Sequence, residues 1–315
     1  MGWIKIRVLG KGSYGVVYQA IPTAPGSIHS QEAIAIKSCC YKNSASLRKE
    51  ERIMKNLASC PEILHCLGST ISIDKGFCVY NLLLEYAPYG TLSGLIKKNH
   101  LTELRVIQAF VRMLLKGLHF IHKKGFVHCD LKPDNILVFP SQDGSNYQLK
   151  IADFGLSKNC EEGINANDWK YRFRGTPYYM SPESVSYGQI EAPMDIWSLG
   201  CIVIEMITGK PAWWGCESEE ELMFKLVLQK KAPELPQGLS EICKNFLSKC
   251  FAIDPWKRWT AEMLLNHPFL LDPDSIINRL SSMFSRSAPS SSCYSLFPEE
   301  GRTTEAFVRL KRCGK

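Results

Sequence analysis

The chain has 315 residues, 45% of them hydrophobic and 22% charged, with a formal net charge of +7. That length exceeds what one core readily fills, so two packed lobes are expected, in a composition typical of soluble globular proteins. No stretch approaches the roughly 20 apolar residues needed to cross a bilayer, and the opening Met1-Gly2-Trp3-Ile4-Lys5-Ile6 lacks the apolar core of a signal peptide.

The 13 cysteines form no Cys-x-x-Cys pair, which speaks against a zinc cage and against a secreted disulfide framework. Most are expected to serve as small buried hydrophobes. The mild positive charge makes no case for nucleic acid. A cytoplasmic or nuclear protein, with no membrane partner, is the expectation.

From residue 3 to about 87 the chain reads mostly as strands. Val8-Leu9, Val16-Val17-Tyr18, Ala33 to Lys37 and Phe77 to Leu84 are short apolar or β-branched runs. One helix is predicted among them, over Ser46 to Leu57, with apolar residues at Leu47, Ile53, Met54 and Leu57. From Thr102 to His122 the period becomes helical: Leu104, Ile107, Val111, Leu114, Leu118 and Ile121 recur, and Gly125 follows as a stop. After Ser181 the pattern is largely helical, with loops at Gly209-Lys210-Pro211 and Pro233 to Gly238. Ser281 to Ser295 is serine-rich and the end is basic (Arg309, Lys311, Arg312, Lys315), which reads as a mobile tail.

Four segments carry chemistry. In Gly10-Lys11-Gly12-Ser13-Tyr14-Gly15-Val16-Val17 the glycines allow a backbone turn to approach phosphates and present N–H groups to them. A dinucleotide fingerprint would open a helix here. The β-branched run that follows favours a hairpin instead. In Ala33-Ile34-Ala35-Ile36-Lys37, strand alternation puts Ala35 and Lys37 on one face, suited to a flat base and its phosphates. An ordinary glycine hairpin and an exposed strand lysine are the bland readings of these two segments taken alone.

The decisive pair is His128-Cys129-Asp130-Leu131-Lys132-Pro133-Asp134-Asn135-Ile136-Leu137 and Lys150-Ile151-Ala152-Asp153-Phe154-Gly155. Phosphoryl transfer needs a carboxylate for the proton of a hydroxyl, oxygen ligands for Mg²⁺, and a cation to offset charge on the transferring group. Asp130 can supply the first. Asn135 and Asp153 can supply the second, since hard Mg²⁺ prefers carboxylate and amide oxygens. Lys132 can supply the third.

With these motifs in this order, followed by Ser181-Pro182-Glu183, Asp195-Ile196-Trp197-Ser198-Leu199-Gly200 and Asp254-Pro255-Trp256-Lys257-Arg258, the chain resembles the eukaryotic protein kinases over residues 3–270. The resemblance implies an α+β, bilobal fold: a β-rich N-lobe of about 3–87, a mainly helical C-lobe of about 88–270, ATP and Mg²⁺ between them, and a tail of 271–315.

It also implies roles. Asp130 matches the catalytic base and Lys37 the lysine on the α- and β-phosphates. Glu50 is that lysine's helix partner, with Glu51 the alternative. Leu84 matches the gatekeeper, and Glu85-Tyr86-Ala87 the hinge whose backbone bonds adenine. Val17, Ala35 and Leu137, beside Leu9, sandwich the base, while Gly10, Gly12 and Gly15 cover the phosphates. Glu183 and Arg258 match a structural ion pair, and Asp195 an anchor of the catalytic loop. Lys132 and Gly175-Thr176-Pro177-Tyr178-Tyr179 resemble the serine/threonine form.

One departure stands out. The family usually has His-Arg-Asp, where the arginine pairs with a phosphate on the activation loop; here the residue is Cys129. Between Gly155 and Gly175 the only hydroxyls are Ser157 and Tyr171. Glu161, Glu162 and Asp168 stand among Lys170, Arg172 and Arg174, so fixed ion pairs are expected to order the loop in place of a phosphate. A neighbouring basic residue taking over from the arginine is the alternative.

Ser59-Cys60-Pro61-Glu62-Ile63, His65-Cys66-Leu67-Gly68, His128-Cys129-Asp130 and the short C-terminal extension resemble plant MEKK-like mitogen-activated protein (MAP) kinase kinase kinases. That implies a MAP kinase kinase as protein substrate. A Ste20-like kinase and a pseudokinase binding module are the competing readings; the second would lack one of Lys37, Asp130, Asn135 or Asp153, all of which are present.

Overall fold

The β-branched runs at the start of the chain pair into one antiparallel sheet in a computed structural model that describes residues 2–12, 15–23, 33–99, 101, 103–141, 147–159 and 175–271. Its strands are β1 (Gly2–Gly12), β2 (Gly15–Thr23), β3 (Ile34–Cys40), β4 (Cys66–Asp74) and β5 (Phe77–Glu85), in the spatial order β1-β2-β3-β5-β4. β3 therefore lies at the centre, with Lys37 opposite Val17 on one side and Leu82 on the other. Ala35, Ile36 and Lys37 are all buried. The sequence pattern missed β4, whose side chains alternate between half-buried and exposed and so form no apolar run.

Helix α1 (Ala45–Asn56) follows β3. Leu47, Glu50, Ile53 and Met54 recur at helical spacing and are its buried residues, so one carboxylate shares the apolar stripe. Leu57, the last residue of the predicted helix, is its buried C-cap.

The second lobe is mainly helical. α2 (Leu92–Asn99) is short and was not predicted. α3 (Leu104–Lys123) buries Ile107, Val111, Leu114, Leu118 and Ile121 as the periodicity requires, but Leu104, in its first turn, is exposed. Short strands β6 (Phe126–Val127), β7 (Ile136–Phe139), β8 (Gln148–Ile151) and β9 (Lys158–Asn159) pair as β6 with β9 and β7 with β8. Helices α4 (Pro182–Tyr187), α5 (Ala192–Thr208), α6 (Glu219–Met223), α7 (Glu241–Cys250) and α8 (Ala261–Leu265) complete the lobe. α5 is buried almost all round, the mark of a central helix.

The two lobes are joined at β8 as well as after β5. Leu64 N–H donates to Ile151 O (2.9 Å) and Ile151 N–H to Glu62 O (2.8 Å). Gly117 of α3 permits this approach: a Cβ there would stand 2.8 Å from Ile151 Cδ1 and 3.4 Å from Glu62 O.

Among the described residues no helix is long and apolar enough to cross a membrane. Of the ten described cysteines, Cys60, Cys129, Cys201, Cys243 and Cys250 are buried, so burial accounts for half of them rather than most. Cys40 and Cys78 are exposed, each near the end of its strand. The chain divides after Leu271, and the unit 272–315, with the expected serine-rich tail, lies outside the described residues.

Candidate active site

A cleft of about 920 Å³ is lined by residues of both lobes. The residues expected to bind nucleotide or metal or to act in transfer all reach it, whereas Glu51, Cys129, Glu183, Asp195 and Arg258 lie outside its lining. Leu9, Gly10, Gly12, Gly15, Val17, Ala35, Lys37 and Glu50 line it from the sheet and α1. Leu84, Glu85 and Ala87 line it at the connection, and Asp130, Lys132, Asn135, Leu137 and Asp153 from the second lobe. Ser13 and Tyr14 of the glycine segment lie outside the described residues.

Lys37 joins three elements. Its Nζ donates to Glu50 Oε2 of α1 (2.8 Å) and to Asp153 Oδ1 beyond β8 (2.9 Å). Burial works against its charge, but Glu50 and then Asp153 outweigh that and hold it above the ordinary lysine value. Burial raises Glu50, with Lys37 pulling the other way. Burial also opposes the charge on Asp153, yet Lys37 and the Gly155 N–H keep that carboxyl below its usual value.

The choice between Glu50 and Glu51 is made by geometry. Successive helix side chains diverge by about 100°, so both cannot face Lys37. Glu51 turns instead to β4 and β5, accepting from Ser69 Oγ (2.9 Å) and Tyr80 OH, and from Lys55 Nζ (2.8 Å) of its own helix. Glu50→Gln is therefore expected to lower kcat/KM by about ten- to a hundredfold and Glu51→Gln by less than about threefold, measured as ATP-dependent phosphate transfer. Equal losses in the two variants would contradict this division.

Asp130 is held from four sides. Lys132 Nζ lies 2.9 Å from Oδ2, and Asn135 Nδ2 donates to the same oxygen (3.1 Å) and to Asp130 O (2.8 Å). Thr176 Oγ1 donates to Asp130 Oδ1 (2.9 Å) and accepts from Lys132 Nζ (2.7 Å). The Asp130 N–H donates to His128 Nδ1 (3.3 Å). The sequence reading had Thr176 only as part of the serine/threonine form and missed its bond to Asp130: it stands 46 positions away, and no spacing rule links them. Gly175 lets it arrive, with φ +118° and room for no Cβ, since one would meet Cys129 O at 2.8 Å.

The backbone before Asp130 is fixed from behind. Asp195, fully buried in the first turn of α5, accepts from His128 N (2.8 Å), Cys129 N (3.0 Å) and His122 Nε2 (2.9 Å). Burial opposes its charge, and His122 with the His128 side chain and N–H hold it below the usual value. These bonds support Cys129 at φ 71°, a left-handed conformation costly for a residue with a Cβ.

Cys129 itself is buried in an apolar cluster with Val127, Ile190 and Met194, against which Leu156 packs. Ser157 is fully buried and donates to His128 O (3.0 Å). One of the two loop hydroxyls is thus committed to the fold. Tyr171 and the charged residues from Glu161 to Arg174 lie outside the described residues.

Glu183 and Arg258 meet in a buried, bidentate pair (2.6 and 3.0 Å), and Arg258 also donates to Ala252 O and Pro193 O. The donor set also fits a hard divalent cation. Asn135 directs its amide nitrogen to Asp130, and Asp153 engages Lys37 and Gly155 through Oδ1. Among the described residues, Asn135 Oδ1 and Asp153 Oδ2 are thereby left as oxygen donors on two residues that line the cleft.

Comparison with known proteins gives consistent matches. Residues 3–270 match the protein kinase domain family. The chain is 41% identical over 278 residues to mitogen-activated protein kinase kinase kinase 20 of Arabidopsis thaliana, covering 86% of this chain and 78% of the relative. It is 39% identical to mitogen-activated protein kinase kinase kinase 17 of the same plant, over 86% of this chain and 70% of that one. It is also 35% identical to the serine/threonine-protein kinase BCK1/SLK1/SSP31 of Saccharomyces cerevisiae, over 85% of this chain but 18% of the yeast protein.

Proposed function

The chain belongs to the protein kinase family, and from that premise we propose the residues, cofactors and substrate through which it acts. It is a serine/threonine protein kinase of the MAP kinase kinase kinase type. The reading of its site rests on one observation: Lys37, paired with Glu50 and Asp153, shares a cleft with Asp130 and its ring of donors.

ATP lies with its base between Val17, Ala35 and Leu137 and against the backbone of Glu85 to Ala87, a lining whose apolar faces suit a flat ring. Leu9 and Leu84 close the ends of this slot. Lys37 holds the α- and β-phosphates, and the N–H groups around Gly10, Gly12 and Gly15 cover them. Asn135 and Asp153 would hold Mg²⁺, which would supply positive charge against the phosphate oxygens.

Asp130 orients the serine or threonine hydroxyl of the protein substrate and takes its proton as the new O–P bond forms and the bond to the leaving ADP oxygen breaks. The Thr176 hydroxyl, 2.9 Å from Asp130 Oδ1, gives the geometry in which this carboxylate accepts from a neutral hydroxyl. Lys132, 2.9 Å from the same carboxylate, offsets negative charge on the group in transit.

The substrate is a MAP kinase kinase, as the names of the plant relatives indicate for those proteins. The test is radiolabelled transfer from Mg·ATP by the purified full chain to a panel of catalytically dead MAP kinase kinases, beside a generic basic protein. Transfer to a panel member on serine or threonine, well above the basic protein, is expected. Equal labelling of all proteins offered would sink the substrate assignment, and labelling on tyrosine would sink the residue class.

A further inference from the structure

Glu85 has a second set of partners that the reading above leaves unused. It is the last residue of β5, and Tyr86 and Ala87 follow directly. Both of its carboxylate oxygens accept from Lys150 Nζ at 2.7 Å, and Oε1 also accepts from the His65 N–H at 2.6 Å. The Glu85 N–H returns a bond to His65 O (3.2 Å).

Lys150 comes from the other lobe. It lies on β8 directly opposite Leu137 of β7 and three residues before Asp153. Its Nζ rests over the Phe139 ring, 4.8 Å from the centroid, and the Lys150 and Glu85 side chains are only 14% and 23% exposed. The backbone closes the circuit, because Leu64, next to His65, donates to Ile151, next to Lys150.

Exposed ion pairs contribute little, because water and side-chain entropy offset them. This one differs in three respects. Both carboxylate oxygens are engaged, an aromatic face covers the ammonium, and a backbone N–H shares the carboxylate, so both partners have few other positions open to them. The pair ties the strand end that leads into the hinge to the hairpin carrying Leu137.

We propose that Lys150 is a positioning residue for the nucleotide. Acting through Glu85, it fixes the separation between the hinge backbone and Leu137, and hence the width of the slot that takes the adenine base. This rests on the placement of adenine proposed above. It assigns Lys150 to nucleotide affinity and not to the transfer step, because none of its partners touches Asp130.

The experiment measures the Kd for Mg·ATP by calorimetry, with kcat and both KM values, for the full chain and for Lys150→Met, Glu85→Gln, the double variant and Lys150→Arg. Lys150→Met and Glu85→Gln are each expected to raise Kd and KM for ATP about tenfold. In Lys150→Met, at a position outside the cleft lining, kcat and the KM for protein substrate should stay within about twofold of wild type. The double variant should resemble either single one, since both remove the same interaction, and Lys150→Arg should recover most of the affinity. Unchanged Kd in Lys150→Met, with or without a lower melting temperature, would reduce the pair to a structural contact and overturn the proposal. So would losses that multiply in the double variant. Wild-type protein that binds no Mg·ATP would overturn the placement of adenine, and the role of Lys150 with it.

Discussion

Asp130→Asn is expected to lower kcat by about 10²- to 10⁴-fold while leaving the Kd for Mg·ATP within about twofold of wild type. The amide is close to isosteric with the carboxylate. It can still accept through one oxygen from Thr176 or from Lys132, which hold the side chain now. What it loses is the capacity to take the hydroxyl proton and the negative charge that pairs with Lys132. The effect therefore falls on the transfer step. Single-turnover transfer alongside calorimetric ATP binding separates the two quantities. A kcat within tenfold of wild type would remove Asp130 from the role of base, and a large loss of ATP affinity would show that it acts in binding.

Arg258→Met should destabilise the fold by about 3–5 kcal/mol, the cost of stranding a buried carboxylate. The side chains of Arg258 and Glu183 are 0% and 6% exposed, so Glu183 would have no route to water. Arg258 also lies over the Trp197 ring, 5.0 Å from its centroid, and its methionine replacement keeps part of that packing but none of the charge. The expected fall in melting temperature is on the order of 10 °C. Adding Glu183→Gln should recover a substantial part of it, because the stranded charge is then gone. A fall below about 2 °C, or no recovery in the double variant, would contradict this account. Activity should drop further than stability alone requires, since Glu183 closes the segment that begins at Gly175 and brings Thr176 to Asp130.

Much of the site was legible in advance because its parts repeat local patterns. Asp130, Lys132 and Asn135 lie within one loop, and Asn135 bonds back over five positions. The stripe of Leu47, Ile53 and Met54 marked the buried face of α1 through its period alone. Strand β4 escaped notice for the complementary reason: this edge strand alternates, but its half-buried positions are Cys66, Gly68, Thr70, Ser72 and Asp74 while Leu67, Ile71 and Ile73 are exposed, so it offers no apolar run. The two-residue strands β6 and β9 escaped as well, since each exists only through pairing with the other.

By itself the sequence determined the order of elements, the two-lobe division of labour and the identity of the chemical groups, because backbone periodicity and loop spacing are local properties of the chain. Tertiary structure alone decided which groups meet. It closed the alternative of Glu51 that the sequence had left beside Glu50 as the partner of Lys37, brought Asp153 to the same ammonium across 116 positions, Thr176 to Asp130 across 46 and Lys150 to Glu85 across 65. Such pairings depend on how strands and helices stack, and on burial that makes an unpartnered charge too costly to keep, so no stretch of the chain read alone contains them.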